Sequence, residues 1–244
     1  VNGDERLNPL RAGFPVCDTV GGLNGAFAIM AALYHRERTG DGQFIDIAML
    51  DSIMPLMGWV AANLLIAKQQ PVPMGNDNFT AAPSGVFRTR DGHINIAANK
   101  QEQWESVCDV LDLPELKTDT RFQKRDARKQ NRKALTPLLE AKLAERDTTE
   151  WVEILNTSGV PSGAILSLED ALKQPQIRHR ETLKDVPIEG IGTVPLFTLT
   201  AKFEQTPGDI TSAPPRLSAH TAEVLASIGI AEDELAALKT KKVV

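Results

Sequence analysis

A long apolar stripe marks the first predicted helix of the chain, between Val20 and Arg38. Large apolar side chains recur there every three or four residues, and smaller apolar residues between them leave little polar face. The stripe consists of Leu23, Phe27, Met30 and Tyr34. A helix this apolar is expected to be buried. Arg36 and Arg38 favour a helix end just after them, and Gly40 supplies a left-handed terminating residue.

The pattern changes to a period of two after Gly40. Residues 43–48 carry apolar side chains on both alternating faces, which predicts an interior strand. Asp51 or Ser52 then begins an apolar helix that runs to about Lys68, with Pro55 tolerated in its first turn. The order helix, strand, helix indicates an α/β layer architecture with a largely parallel sheet.

The remaining two thirds of the chain read as shorter elements. Residues 69–84 are a Pro- and Gly-containing loop, and a β-hairpin follows around a tight Asp91-Gly92 turn that uses positive φ angles. The charged stretch 112–132 is interpreted as a solvated surface, because acidic residues are interleaved with its basic ones. Further predicted helices occupy residues 101–111, 133–146, 148–156, 218–228 and 232–239, and a capping box of Asp147 and Glu150 opens the helix at 148. Residues 160–165 are interpreted as a buried edge strand or a turn, and two strands within residues 182–203 flank a Glu189-Gly190 turn.

Composition narrows the functional classes. The chain has 244 residues, a net charge of -5 and two cysteines. An acidic balance without a basic run argues against a nucleic-acid partner and against an anionic membrane surface. Neither Cys17 nor Cys108 lies in a Cys/His cluster, so no metal site or disulfide framework is indicated, and a reduced cytoplasmic setting is expected. The apolar run 53–67 is too short to cross a membrane.

Asp18 is the carboxylate at the start of the long apolar helix. It precedes the long helix, where an aspartate commonly caps the first turn through its side-chain oxygen. Gly21, Gly22 and Gly25 follow, and each costs up to about 1 kcal/mol of helix propensity relative to alanine. Either a neighbouring backbone or a ligand must therefore approach the helix closely there, and the residues alone leave both readings open.

An ordered set of segments resembles the family III CoA-transferases, which include CoA-dependent racemases. The segments are the string from Val16 through the long helix, LYHRERTGDGQFIDIAMLDS at 33–52, Gly75-Asn76, GVFRTRDGHINIAA at 85–98, Gln103-Trp104 and AHTAEVLASIGIAEDELAALK at 219–239. No single segment is diagnostic, but together they follow the order of the family over nearly the whole chain. The resemblance implies that Asp18 is the catalytic carboxylate.

The resemblance also implies a fold and an assembly. It implies an α/β protein whose Rossmann-like large domain is interrupted by a smaller α+β domain. Residues 1–70 and 191–244 would belong to the large domain and residues 71–190 to the small one. The chain opens without an initiator Met, so we expect the C-terminal 60% or so of the fold, without a nucleotide-binding N-terminal half. Members of the family form interlocked homodimers.

The implied chemistry is transfer of coenzyme A from an acyl-CoA to a free carboxylic acid, without a metal. Asp18 would carry the acyl group as an anhydride and then the CoA as an aspartyl thioester, in a dry corner walled by glycines. The backbone N–H groups of residues 19–22 are candidate oxyanion donors. Met49 is implied to lie against the pantetheine arm, although a plain core methionine is equally consistent. Gly75 and Asn76 match a loop that closes over the site in family members. Some relatives have a run of consecutive glycines in that loop, whereas this chain has only Gly75.

Two other functions stay open at this stage. In a CoA-ester racemase or isomerase, Asp18 would act as a general base on the α-carbon, together with a histidine outside these residues. The segment around Asp18 lacks the Gly-Asp-Phe-Gly-Gly pattern typical of the racemases, which favours transfer. The third possibility is an inactive structural fragment that lacks the CoA-binding half. The sequence does not identify the acids that exchange CoA.

Overall fold

Eleven α-helices, two short 3₁₀ helices and five β-strands follow one another in the computed structural model, which describes residues 1–244. This content confirms the mixed α/β class. The chain divides into two compact units, residues 1–165 and residues 166–244. The domain boundaries expected near residues 70 and 190 stay predictions.

The first unit contains seven α-helices, both 3₁₀ helices and three strands. In chain order its elements are α1 (Val16–Thr39), α2 (Met49–Ile53), a 3₁₀ helix (Pro55–Met57), α3 (Trp59–Ala67), β1 (Ser84–Arg88), β2 (His93–Ala97), α4 (Gln101–Val110), a 3₁₀ helix (Pro114–Lys117), α5 (Arg125–Gln130), α6 (Arg132–Leu143), α7 (Thr148–Thr157) and β3 (Ser162–Ala164). The second unit contains α8 (Leu168–Leu172), α9 (Pro175–His179), β4 (Leu183–Ile188), β5 (Gly192–Phe197), α10 (Thr221–Ser227) and α11 (Glu232–Thr240).

The core of the first unit lies between a small sheet and three helices. Strands β1, β2 and β3 form an antiparallel sheet in that order, and β2 buries Ile94 and Ile96 while His93 and Asn95 face water. This alternation is the period of two expected of a half-buried strand. Helices α4, α6 and α7 cover the buried face. Their main core side chains are Trp104, Val107, Leu135, Leu139, Leu143, Trp151 and Leu155.

Several local predictions are confirmed. The hairpin of β1 and β2 forms, and β4 and β5 form a second antiparallel hairpin. Asp147 and Glu150 make the reciprocal capping box that begins α7, and the Asp147 N–H donates to Glu150 Oε2 at 3.1 Å.

The predicted turn geometry at Asp91-Gly92 is wrong, because neither residue has a positive φ. The connection spans residues 89–92, a length that does not require one, with Thr89 N–H donating to the Gly92 carbonyl at 3.0 Å.

Three predictions about residues 41–68 are wrong. Residues 43–48 form no strand, and both sheets of the chain are antiparallel. The reason is that a strand needs a neighbouring backbone to pair with, and residues 43–48 have none in this chain. The expected helix from 51 to 68 is broken at Pro55 and Gly58, so that its two halves meet at 82°. Gly58 has φ 52° and ψ -121°, a conformation outside the helical region.

Helix α1 forms as predicted but is not buried. Gly40 ends it in the left-handed conformation at φ 83°, and its N–H donates to the Arg36 carbonyl at 2.8 Å. Phe27 is nevertheless 75% exposed, Leu23 is 67% exposed, and Gly21 is the one buried residue of the helix. The physical reason is that α2 is its main neighbour in this chain, and a five-residue helix covers little of a 24-residue one.

Length and hydropathy alone would allow α1 to cross a membrane. An 18-residue window of the helix has a mean hydropathy of 1.4. Core helices of soluble proteins meet the same criterion, so this property does not distinguish the two settings. The absence of a membrane partner stays a prediction.

Candidate active site

Asp18 lies in the first turn of α1 and does not cap it. The helix begins at Val16, and the position before it is Pro15, which offers no side-chain oxygen. The Pro15 carbonyl accepts the Thr19 N–H at 3.0 Å, so the first helical bond forms before Asp18 can act as a cap. The capping interpretation is therefore wrong. The Asp18 carboxylate instead stands beside the positive end of the helix dipole.

The same geometry corrects the expected oxyanion donors. The Thr19 N–H is already used by Pro15, and residues 20–22 lie inside the helix, where each N–H bonds to the carbonyl four residues earlier. The N–H groups that a helix leaves free belong to its first residues. In α1 these include Cys17 and Asp18.

The predicted dry corner around Asp18 is not built by residues 1–244. The Asp18 side chain is exposed. An acyl group carried on this carboxylate needs protection from water, because an anhydride hydrolyses readily. Any such protection must come from a surface that this chain does not itself supply.

Of the three glycines that follow Asp18, one contacts a methionine and the other two have no close neighbour. A Cβ added at Gly21 would lie 3.1 Å from Met49 Cγ, so Met49 packs directly on the helix one turn after Asp18. A Cβ added at Gly22 or Gly25 would meet nothing within 4 Å. The close neighbour inferred from the glycines is therefore found at Gly21, whereas Gly22 and Gly25 leave a narrow open surface on α1.

Gly75 and Asn76 lie in a turn that is held from two sides. Gly75 has φ 59°, and its N–H donates to the Gly3 carbonyl at 2.7 Å. The Asn76 carbonyl accepts the Val86 N–H of β1 at 3.2 Å. A Cβ at Gly85 would lie 2.4 Å from that same Asn76 oxygen, and Gly85 has φ 151°. Sequence reasoning missed Gly85, although a glycine at the start of a strand is a signal of close backbone approach.

The four candidate residues fall into two groups. Met49 packs on α1 at Gly21, three residues after Asp18, whereas Gly75 borders a cavity of about 230 Å³ whose lining includes neither Asp18 nor Met49. The walls of this cavity include Trp59 and Phe79, whose rings stack with centroids 5.3 Å apart. The roles of the four candidate residues toward coenzyme A stay predictions.

The basic stretch near residue 128 is more than a solvated surface. Arg128 is only 1% exposed, and its guanidinium lies 4.9 Å from the centre of the Trp104 ring. It donates to the carbonyls of Ala82 at 2.8 Å and Phe122 at 2.9 Å. The interpretation of this stretch as wholly solvated is therefore wrong at Arg128. The spacing of Arg125, Arg128 and Arg132 in the sequence is typical of a helical face, but it carries no information about burial.

No group of three or more His, Cys, Asp or Glu side chains in residues 1–244 is arranged to hold a metal ion. The expectation of metal-free chemistry stays a prediction.

Comparisons with known proteins place this geometry in context. The model of CoA-transferase family III matches residues 1–221. Succinyl-CoA:glutarate CoA-transferase of Mus musculus is 33% identical over 93% of this chain and 52% of its own length. Succinyl-CoA--D-citramalate CoA-transferase of Chloroflexus aurantiacus is 27% identical over 97% of this chain and 59% of its own length. The chain thus spans between about half and three fifths of the length of these relatives.

A solved structure shares the fold. The crystal structure of a CAIB/BAIF family protein from Brucella suis matches with a TM-score of 0.79 and 30% sequence identity. The match covers 93% of this chain and 59% of that one.

Proposed function

This chain belongs to CoA-transferase family III, and from that membership we propose that the protein transfers coenzyme A from an acyl-CoA thioester to a free carboxylic acid. The observation that carries the proposal is the family match over residues 1–221, which includes a carboxylate, Asp18, in the first turn of a glycine-containing helix. A carboxylate is the nucleophile that this exchange requires, because it forms an anhydride without losing the activation of the acyl group.

The proposed reaction takes four steps. An Asp18 oxygen attacks the thioester carbonyl of the donor, which gives a mixed anhydride and releases CoA thiolate. The thiolate attacks the aspartyl carbonyl, which gives an aspartyl-CoA thioester and releases the donor acid as a carboxylate. The acceptor carboxylate attacks that thioester, which gives a second anhydride and releases CoA thiolate again. The thiolate then attacks the acceptor carbonyl and expels the Asp18 carboxylate. The products are the new acyl-CoA and a free Asp18 carboxylate.

The neighbours of Asp18 support this assignment. The positive end of α1 stabilises the negative charge that returns to Asp18 in the last step. Gly22 and Gly25 leave room for a slender chain such as the pantetheine arm, and Met49 borders that surface. Gly75 and Asn76 would contact coenzyme A from the turn after residue 73.

We further propose that both acids are dicarboxylic. The two relatives named above take succinyl-CoA as one substrate, and glutarate and citramalate are also dicarboxylic acids. Because residues 1–244 leave Asp18 exposed, the proposal also requires a cover that excludes water from it. An interlocked homodimer in the cytoplasm, in which other protein segments cover α1, would supply it.

The test uses the full-length protein with succinyl-CoA and free glutarate. We expect glutaryl-CoA to form only when the acceptor is present, and hydroxylamine to trap a hydroxamate on Asp18 that mass spectrometry locates. Asp18→Asn should lower kcat by about a thousandfold or more, because an amide is a poor nucleophile. Asp41→Asn, at an exposed aspartate just beyond α1, is the matched control and should keep activity.

Other outcomes would contradict the proposal. Full activity of Asp18→Asn would exclude the aspartyl intermediate. Exchange of the α-proton of an acyl-CoA without an acceptor acid would instead support the racemase, in which Asp18 acts as a general base. If the full-length protein neither binds nor converts acyl-CoA, a structural role is the better description.

A further inference from the structure

Three arginines bind three alternate carbonyls of the segment that follows the Gly75-Asn76 turn. Arg132 Nη1 donates to the Asn78 carbonyl at 2.8 Å. Arg125 donates to the Thr80 carbonyl, with Nη2 at 2.7 Å and Nε at 3.1 Å. Arg128 Nε donates to the Ala82 carbonyl at 2.8 Å. We call Arg125, Arg128 and Arg132 the arginine clamp.

The placement of both sides explains why the clamp forms. Residues 125 and 128 are three positions apart in α5, which brings their side chains to one face of that helix, and Arg132 is the first residue of α6, directly after the break at Asn131. Residues 78–82 belong to no helix or strand, and the carbonyls of Asn78, Thr80 and Ala82 accept no backbone N–H. Backbone oxygens that a sheet would otherwise satisfy are thus satisfied by guanidinium groups, and hydrogen bonds from a charged donor are stronger than neutral ones.

The clamp is attached to the core of the first unit through Arg128. Besides the Ala82 carbonyl, Arg128 donates to the carbonyls of Phe122 and Gln123 at 2.9 and 3.1 Å and to Gln101 Oε1 at 3.1 Å. Arg132 also donates to the Lys129 carbonyl at 3.1 Å, and its side chain is only 14% exposed. Segment 78–82 is therefore tied to α4, α5 and α6.

The clamped segment directly follows the turn that carries Gly75 and Asn76. The turn spans residues 74–77, and the Asp77 N–H donates to the Met74 carbonyl at 3.1 Å. On the other side, Asn76 is bonded to Val86 of β1. The turn is consequently held by Gly3, by β1 and by the clamp, and loosening the clamp would free one of its three supports.

We propose that Arg125, Arg128 and Arg132 are positioning residues that hold the Gly75-Asn76 turn in the conformation that binds the CoA thioester. They act through the backbone of residues 78–82 and do not themselves contact the substrate. The proposal rests on the proposed function, since it assigns the turn to coenzyme A. A turn that is already ordered binds its ligand without a further loss of conformational entropy.

The experiment compares single variants of the full-length protein. Arg125→Ala and Arg132→Ala each remove one partly exposed member, whereas Arg128 is left intact because its loss would unfold the core. Arg121→Ala is the matched control. Arg121 belongs to the same basic stretch, but its guanidinium pairs with Asp119 at 2.6 Å, outside the clamped segment. Arg132→Lys is the conservative variant, which can still donate to the Asn78 carbonyl.

Two readouts are needed. Hydrogen exchange followed by mass spectrometry should show faster exchange of the amides of residues 75–80 in both alanine variants, with exchange in α4 unchanged. The KM for succinyl-CoA should rise about tenfold while kcat stays within about twofold, because the turn contributes to binding. Arg132→Lys should recover part of the KM, and Arg121→Ala should behave like the wild type in both measurements.

The results separate this proposal from the proposed function. Unchanged exchange of residues 75–80 would show that the clamp does not order the turn and would overturn the proposal. Faster exchange with an unchanged KM would overturn its link to CoA binding. If Asp18→Asn keeps full activity, the aspartyl mechanism fails, yet the exchange and KM measurements still decide the role of the clamp.

Discussion

The two cysteines differ in reactivity because they differ in burial. Cys108 is completely buried in the core, and burial raises the pKa of its thiol to about 12. Cys17 is exposed in the first turn of α1, beside Asp18. Because the thiolate is the reactive form of cysteine, Cys108 is expected to be inert under conditions in which Cys17 reacts.

Alkylation tests this difference at the residue scale. With iodoacetamide at about pH 8, the native 244-residue chain should be modified at Cys17 and not at Cys108, and both should react after denaturation. Peptide mass spectrometry measures the two sites separately. Cys17→Ser is the control, and its native form should remain unmodified. Alkylation of both cysteines at equal rates in the native chain would contradict the assigned burial.

At the scale of elements, Asp91 joins the hairpin of β1 and β2 to the start of α7. Asp91 Oδ1 accepts the Thr148 N–H and the Thr148 hydroxyl, each at 2.8 Å. Beneath it, the hydroxyl oxygens of Thr89 and Thr148 lie 2.6 Å apart. The hydrogen bond from the Thr148 backbone is the main cause that lowers the pKa of Asp91 below its ordinary value of 3.8.

The lowered pKa of Asp91 gives a stability prediction with a definite sign. The pKa of Asp91 is lower in the folded state than in the unfolded state. The ionised carboxylate therefore stabilises the fold at pH values above the unfolded-state pKa, and this contribution is lost as the pH falls through the folded-state pKa. Asp91→Ala should therefore melt at a lower temperature than the wild type at neutral pH. The difference should shrink below pH 3.8.

Thermal unfolding by circular dichroism across this pH range provides the measurement. Asp46→Ala, at an exposed aspartate in the loop between α1 and α2, is the control and should leave the melting temperature unchanged. A difference between Asp91→Ala and the wild type that is equally large at neutral and at acid pH would contradict a role for the ionised carboxylate.

On the scale of the whole molecule, the apolar face of α1 is a continuous stripe of exposed apolar side chains. Four large side chains of one helical stripe are each more than 60% exposed. They are Leu23, Phe27, Met30 and Tyr34. Contiguous exposed apolar surface of this kind marks an interaction site. This agrees with a protein in which other segments cover α1.

Dye binding tests the state of this surface. The 244-residue chain should enhance the fluorescence of an apolar dye such as ANS, and Phe27→Ser combined with Met30→Ser should reduce that signal substantially. Phe44→Ser is the matched control, because Phe44 is 93% exposed but lies in a loop outside the stripe. A signal that falls equally in the control would show that the stripe is not the binding surface.

Much of the local structure was predictable from the sequence, and the candidate site only in part. The end of α1 at Gly40, the capping box of α7 and both hairpins were predicted correctly, although the cap at Asp18 was misassigned. The contact of Met49 with Gly21 was signalled only as an unknown close neighbour, and the contact between Gly85 and Asn76 was not foreseen. In each missed case the two partners are separated by many residues.

By itself, the sequence of this protein determined its mixed helices and strands, its resemblance to the family III CoA-transferases and the candidate carboxylate Asp18. These features are readable because periodicity and short motifs involve residues only a few positions apart. Only the tertiary structure decided that the face of α1 is uncovered, that residues 43–48 form no strand, and that Arg128 is buried among carbonyls. Burial and pairing depend on which distant backbone arrives beside a residue, and no local pattern carries that information.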